Sequence, residues 1–381
     1  MPLASTAAAL DRSGFKLFDQ VRAQAPPANN TFISPVSVQQ ALGLVRAGAR
    51  GATAQQIDAW LGLPPGTDPD AALAAQRGAV TGSFDKSQVK LANALWLANR
   101  FAFKPGYLDL TQTRYAATAR RLDFAAAPQP AADAINAWAA SNTNGLITQV
   151  ANASGFDAAT AAVLTNAVFF EGEWDNRFDA AVPEPFLLGS GAEARFAMMH
   201  NHGRYAYAEA DGWKAVRLPY ASQNRFAMDL FVPQRRQSGA ALSAATYRQL
   251  TGMLDAAPLV LADIALPRFE VLWNQTLNDV LKALGMTEAF SMRADLSGIA
   301  GAPGDLLISK VRHVSRLQVF EIGTRAAAVT TVDIIVTGAL IGGPPKQFRA
   351  DQPFYLAIRE LGSGAPLFLG RIADPQRYTE K

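Results

Sequence analysis

Apolar positions at helical spacing open the chain. Leu10, Leu17, Phe18 and Val21 fall on one stripe of residues 5–23, which predicts an amphipathic helix. Residues 30–37, Asn-Thr-Phe-Ile-Ser-Pro-Val-Ser, read as a short strand turning into a helix that carries Val38, Leu42 and Val45. Thr53-Ala-Gln-Gln56 has the spacing of a capping box and predicts the start of another helix, with Ile57 and Leu61 inward and a stop at Gly62-Leu63-Pro64-Pro65. Residues 89–98 and 164–170 are nearly all apolar and predict buried strands. An alanine-rich helix is expected over 131–141, with Ile135 and Trp138 on one face, and a second one around 275–285, ended by Gly285. Further strands are expected between 194 and 270, at 313–320, at 354–359 and at 366–370. Helices dominate the first third and strands the remainder. This order predicts a mixed α+β fold with largely antiparallel sheets rather than a regular βαβ alternation.

The stretch 321–335 alternates in a way that a plain surface loop does not require. One phase holds Thr324, Ala326, Ala328, Thr330, Val332 and Ile334, all small or β-branched and uncharged. The other holds Arg325, Ala327, Val329, Thr331, Asp333 and Ile335, and carries both charges. As a strand the segment could bury the first face and leave Arg325 and Asp333 in water. An ordinary strand fits the same pattern. Against it stands the sequence beyond, where glycines at 338, 342 and 343 and Pro344-Pro345 signal an exposed connection.

Composition narrows the function classes. The 381 residues are 49% hydrophobic, enough for a large core, and show no linker long enough to separate domains and no repeat of 20–50 residues. The net charge is only +3, and Arg114, Arg120 and Arg121 are separated by small residues, so nucleic acid is not an expected partner. There are no cysteines, which removes thiol catalysis, disulfides and thiolate metal sites. The sequence has no Gly-x-Ser-x-Gly, no phosphate-binding Gly-x-x-x-x-Gly-Lys-Ser/Thr and no His-Glu-x-x-His, and its three histidines give little material for a metal centre; His200-Asn-His202 is expected to be an exposed turn. No run of 18 apolar residues suggests a membrane span, and the first residues lack the basic and apolar regions of a signal peptide. The compartment stays open: extracellular or periplasmic if a leader precedes this numbering, cytoplasmic otherwise. The alanine-rich, cysteine-free composition is in the style of a GC-rich prokaryote.

Ordered motifs from about residue 10 to 376 resemble the serpin family of protease inhibitors. They are Phe32-Ile-Ser34-Pro35-Val-Ser37, Gly48-Ala-Arg-Gly51-Ala-Thr53, Leu164-Thr-Asn166-Ala-Val-Phe-Phe-Glu-Gly172-Glu-Trp174, Leu266-Pro267-Arg-Phe269, Leu284-Gly285-Met-Thr-Glu-Ala-Phe290, Ile308-Ser-Lys-Val-Arg-His313, Asp351-Gln-Pro353-Phe354 and Leu367-Phe368-Leu-Gly370-Arg371. The resemblance implies one domain over 1–381, with three mostly antiparallel β-sheets, eight or nine helices and an exposed reactive loop at about 323–347. It implies no enzymatic activity and no cofactor or metal. A monomer is expected, with a target serine protease as covalent acyl partner.

The same resemblance assigns roles. Ser34, Ser37, Asn166 and His313 match the shutter, a polar cluster under the large sheet. Trp174 matches the breach, where the loop would first enter that sheet. Gly323, Thr324, Arg325, Ala326, Ala327 and Ala328 match the hinge, with Arg325 in place of the usual glutamate. Counting from Gly323 puts the reactive bond at Thr337–Gly338, with Val336, Leu340 and Ile341 as open alternatives. No Lys or Arg lies between Arg325 and Lys346, so elastase-like or subtilisin-like proteases are the expected targets, and Leu340 leaves chymotrypsin-like cleavage open. Residues 70–84 hold a single basic residue, Arg77, so heparin activation is not expected. The alternative is a serpin that does not inhibit: a carrier, a chaperone or a substrate-like member.

Overall fold

Ser34 shows how local chemistry starts the architecture. Its hydroxyl accepts from the Ser37 amide at 3.3 Å, and Pro35 occupies the first helical position, so the chain turns abruptly from strand to helix. The computed structural model describes residues 2–324 and 344–375. In chain order it begins with α1 (Pro2–Gln24), β1 (Thr31–Ile33), α2 (Pro35–Gly48), α3 (Gly51–Leu61) and α4 (Pro69–Val80). There follow β2 (Gly82–Phe84), β3 (Ser87–Ala98), α5 (Pro105–Tyr115), β4 (Thr118–Leu122), α6 (Pro128–Asn142) and β5 (Ala162–Glu173). The middle is mostly strand: β6 (Val182–Leu187), β7 (Glu193–Ala210), β8 (Trp213–Pro219), β9 (Phe226–Pro233), then α7 (Ala244–Ala256), β10 (Leu259–Pro267) and β11 (Phe269–Thr276). The chain closes with α8 (Asn278–Ala283), β12 (Lys310–Val319), β13 (Gly323–Thr324), β14 (Lys346–Arg349), β15 (Phe354–Glu360) and β16 (Pro366–Ile372).

The described residues therefore hold eight α-helices in a mixed α+β fold. One sheet of seven strands runs β11-β12-β13-β5-β3-β2, with β4 on β3. The other nine strands run β1-β16-β15-β9-β8-β7-β10-β14, with β6 on β7. The long strand β7 makes this second assembly behave as two sheets: its residues 198–206 pair with β10, whereas Tyr207–Ala210 pair with β8. The three sheets expected from the sequence are thus present, two of them sharing one strand. Every residue of β9, β15 and β16 is buried, and α2 is buried along most of its length behind the seven-stranded sheet.

Two local expectations need correction. The helix near Thr53 begins earlier, at Gly51, with no side-chain cap. Thr53 Oγ1 instead accepts the Asp295 amide at 3.0 Å, and Gln56 Oε1 accepts the amides of Thr287 and Glu288 at 2.8 and 2.9 Å. Tertiary partners have taken both groups that a capping box would use. His200-Asn-His202 is not a turn but part of β7, with His202 opposite Asp263. Gly62 does end α3 as expected, at φ +62°, a conformation that glycine adopts without a Cβ penalty.

Candidate functional site

The seven-stranded sheet is divided at its centre. β5 and β12 lie parallel and pair directly over Val163–Ala167 and Lys310–Val314. At the other end of the same strands they are separated by β13, which pairs antiparallel to both: Gly323 opposite Glu173, and Thr324 opposite Gly172 and Val319. Residues 168–171 of β5 and 315–318 of β12 lie between these two zones. The sheet is closed at one end and wedged open at the other by the two residues of β13.

The wedge is a close-packed site. A Cβ on Gly323 would collide with the Gly172 carbonyl oxygen and stand 2.7 Å from the Glu173 Cα, so only glycine fits. Thr324 is fully buried, and its hydroxyl is 2.6 Å from that of Tyr220. Tyr220 stacks on Trp174 with ring centroids 4.5 Å apart. The Trp174 indole donates to the Phe320 carbonyl at 2.9 Å, and its backbone N–H donates to Ile322 at 2.9 Å, tying the approach to β13 onto the end of β5. Beside them Glu173 receives Arg177 at 2.9 Å and Lys86 at 3.2 Å, and the Arg177 hydrogen bond leads in holding its carboxyl below the usual range.

A polar cluster lies under the closed half. His313 on β12 sits opposite Asn166 on β5. The Ser34 amide donates to His313 Nε2 at 3.1 Å, so the ring is an acceptor there and Nδ1 carries the proton. Nδ1 then donates to Asn166 Oδ1 at 2.8 Å. The Asn166 amide donates to the Ser37 carbonyl at 2.6 Å and to Asn93 Oδ1 at 2.8 Å. Burial holds the imidazole neutral and pushes its pKa down to about 3. Two buried groups of the cluster, Ser37 Oγ and Asn93 Nδ2, make no hydrogen bond. The network therefore has unused capacity where most buried polar groups are satisfied.

A family model described as Serpin (serine protease inhibitor) matches residues 8–375. The chain belongs to the serpin family. Among its relatives is the leukocyte elastase inhibitor of Bos taurus, 34% identical over 92% of this chain and 94% of that protein. The solved native, stressed conformation of Arabidopsis AtSerpin1 is 27% identical with a TM-score of 0.85, over 98% of this serpin and 99% of that one. Human thyroxine-binding globulin, solved with its hormone, matches at 23% identity and a TM-score of 0.87 over 99% and 100% of the two chains, a likeness of fold. Serpins are protease inhibitors rather than enzymes.

Of the residues singled out in this serpin's sequence, Ser34, Ser37, Asn166 and His313 meet in one network, and Trp174, Gly323 and Thr324 meet in another. Arg325, Ala326, Ala327 and Ala328, the Thr337–Gly338 bond and its alternatives Val336, Leu340 and Ile341 lie outside the described residues. Among the described residues no cluster of three His, Asp or Glu side chains has the arrangement of a metal site. Sequence reasoning missed Asn93 and Tyr220. Asn93 had a signal, a lone amide inside the apolar run of β3. Tyr220 had none, because its partner Thr324 is 104 residues away.

Proposed function

We propose that this serpin is a suicide inhibitor of serine proteases, acting by cleavage and insertion of the segment that follows Thr324. The observation that carries this reading is the wedge. The first two residues of a strand already stand between β5 and β12, in register with both, and the alternation that begins at Thr324 puts only small or β-branched uncharged residues on the face Thr324 buries, with both charges on the other.

The protease serine attacks the Thr337 carbonyl carbon. The Oγ–C bond forms, the Thr337–Gly338 C–N bond breaks, and the proton of the serine passes through the protease histidine to the leaving Gly338 amine. Freed at one end, residues 324–337 extend the strand begun by β13 and part β5 from β12 along their paired half. At about 3.3 Å per residue this carries the acyl-linked protease roughly 45 Å. Pulled against the body of the serpin, the protease loses its oxyanion-hole geometry, where one missing donor slows catalysis about 10²–10³-fold. Deacylation stalls and the complex persists. The uncharged residues around the proposed bond, and the likeness to the leukocyte elastase inhibitor, favour elastase-like or subtilisin-like targets.

Mixing the protein with pancreatic elastase tests this. The expected outcome is a band on a denaturing gel near the summed masses, and a released peptide beginning at Gly338 by mass spectrometry. Complete cleavage without adduct by both elastase and subtilisin would overturn it.

One observation favours a second reading, a carrier. A cavity of about 680 Å³ lies between α1, α4, α7 and the β15–β16 turn, and the Tyr247 hydroxyl on its wall is buried without a hydrogen bond. Thyroxine is a suitable aromatic probe. A saturable rise in melting temperature, abolished by Ala75→Trp, would support a carrier.

A further inference from the structure

Just past the end of α6 the chain turns through Asn144 and Gly145. Both are exposed, and both lie in the left-handed region, at φ +50° and +73°. The Asn144 side chain ties this corner to β3: its Oδ1 accepts from Lys90 Nζ at 2.6 Å, and its Nδ2 donates to Gln88 Oε1 at 3.3 Å. An ammonium group therefore sits on the oxygen of a primary amide. The next nitrogen along the chain belongs to a glycine. Even a Cβ added to Gly145 would meet nothing within 4 Å, so the approach to that nitrogen is open. Asn142 makes a contrast two residues earlier. It closes α6, its Nδ2 donates back to the Trp138 carbonyl at 2.8 Å, and the β-branched Thr143 follows it.

We infer that Asn144–Gly145 is a site of spontaneous deamidation, assisted by Lys90. The Gly145 nitrogen, its proton lost to solvent base, attacks Asn144 Cγ. A C–N bond forms, and the electron pair of the C=O moves onto Oδ1, where the Lys90 ammonium already stands to stabilise the negative charge. The pair then returns, the Cγ–Nδ2 bond breaks, and the nitrogen leaves as ammonia with a proton from water. Water opens the five-membered imide that remains. Opening on the side-chain side gives aspartate. Opening on the main-chain side gives isoaspartate, in which the chain continues through the former side chain. In either product the residue has exchanged NH for O, and water is the only co-reactant. One contact sets the pace: the Gly145 amide donates to the Ala140 carbonyl at 2.8 Å and closes the last turn of α6. Attack runs from the opened form of that turn, and helix ends open more readily than the fold as a whole.

The position gives the change a structural consequence. Asn144 is held on β3, whereas the Leu146 carbonyl accepts from Arg316 at 2.9 Å and the Val150 carbonyl from Arg312 at 3.0 Å, both residues of β12. Residues 144–150 thus cross from β3 to β12, past β5. A carboxylate at 144 pairs with Lys90 as an ion pair and fastens the β3 end of the crossing, and isoaspartate adds one carbon to the main chain there. On the inhibitor reading, which the site itself does not need, this crossing spans the two strands that the inserted segment would part.

Ageing the full-length protein at pH 8 and 37 °C in heavy-oxygen water tests this. After denaturation, chymotryptic cleavage behind Trp138 and Leu146 puts Asn142 and Asn144 in one peptide for mass spectrometry. Heavy oxygen is expected at residue 144 at least tenfold faster than at residue 142. In Lys90→Gln the rate at 144, divided by the opening equilibrium of the Gly145 amide from hydrogen exchange, should fall at least threefold, and Lys90→Arg should restore most of it. No label at 144, or equal rates at 142 and 144, would overturn the site. An unchanged corrected rate in Lys90→Gln would overturn the part given to Lys90. No target protease is present during ageing, so a missing elastase adduct would count against the inhibitor reading alone.

Discussion

His313 is neutral because it must be. Its Nε2 accepts the Ser34 amide, and a proton there would set two donors face to face. The folded pKa lies at about 3 and the unfolded reference at about 6.5, so between those values the unfolded chain binds more protons. The stabilising contribution is complete above pH 6.5 and is lost as pH falls toward 3, at up to about 1.4 kcal/mol per pH unit. Urea midpoints at pH 7.5, 6.0 and 5.0 should show this slope, and His313→Gln should remove its share. Gly323 makes a sharper case. In Gly323→Val the side chain has no space beside Gly172, so the first rung of the new strand is lost. Insertion should then lag behind hydrolysis, and the moles of inhibitor consumed per mole of elastase should rise at least fivefold; an unchanged stoichiometry would remove the wedge from the mechanism. At this scale the sequence was legible where a motif fixed a residue and its neighbours together. Ser34, His313 and Asn166 come from three distant motifs, and their meeting was available only through the resemblance.

Elements carry the next level of argument. The end of β5 is joined to the approach of β13 chiefly through Trp174, whose indole reaches the Phe320 carbonyl. Trp174→Phe keeps the stacking on Tyr220 and loses that hydrogen bond, leaving a carbonyl unpaired. A loss of about 1–3 kcal/mol is expected in chemical denaturation. Strand and helix existence was readable from apolar periodicity in α1, α2, β3 and β5, because burial of one face dictates it. Boundaries and polar runs were not. Thr53 and Gln56 have capping-box spacing, yet their side chains serve Asp295 and residues 287–288, contacts that spacing within one helix does not encode. His200-Asn-His202 has the composition of a turn, but a strand accepts polar residues on its solvent side, and carboxylates on neighbouring strands hold both rings.

For the whole molecule, the proposed insertion would add one strand between β5 and β12, and making it should lower the free energy. Cleaved protein should therefore melt well above intact protein, by more than 20 °C, when both are followed by circular dichroism; equal melting temperatures would mean that the cut segment does not insert. Polyanion control is not expected. α4 offers only Arg77, and Asp68 and Asp70 stand at its start. Inhibition rates with and without heparin should agree within about twofold.

The burial of β15 and β16 has its own outcome for the cut protein. Both strands lie beyond the proposed bond, yet every residue in them is buried within the nine-stranded assembly, β15 between β9 and β16. A nick at Thr337–Gly338 would sever the backbone without freeing a fragment. The product would be a two-chain protein heavier only by the water of hydrolysis in native buffer, its short chain locked in by its own core, and denaturing conditions would be needed to part the two.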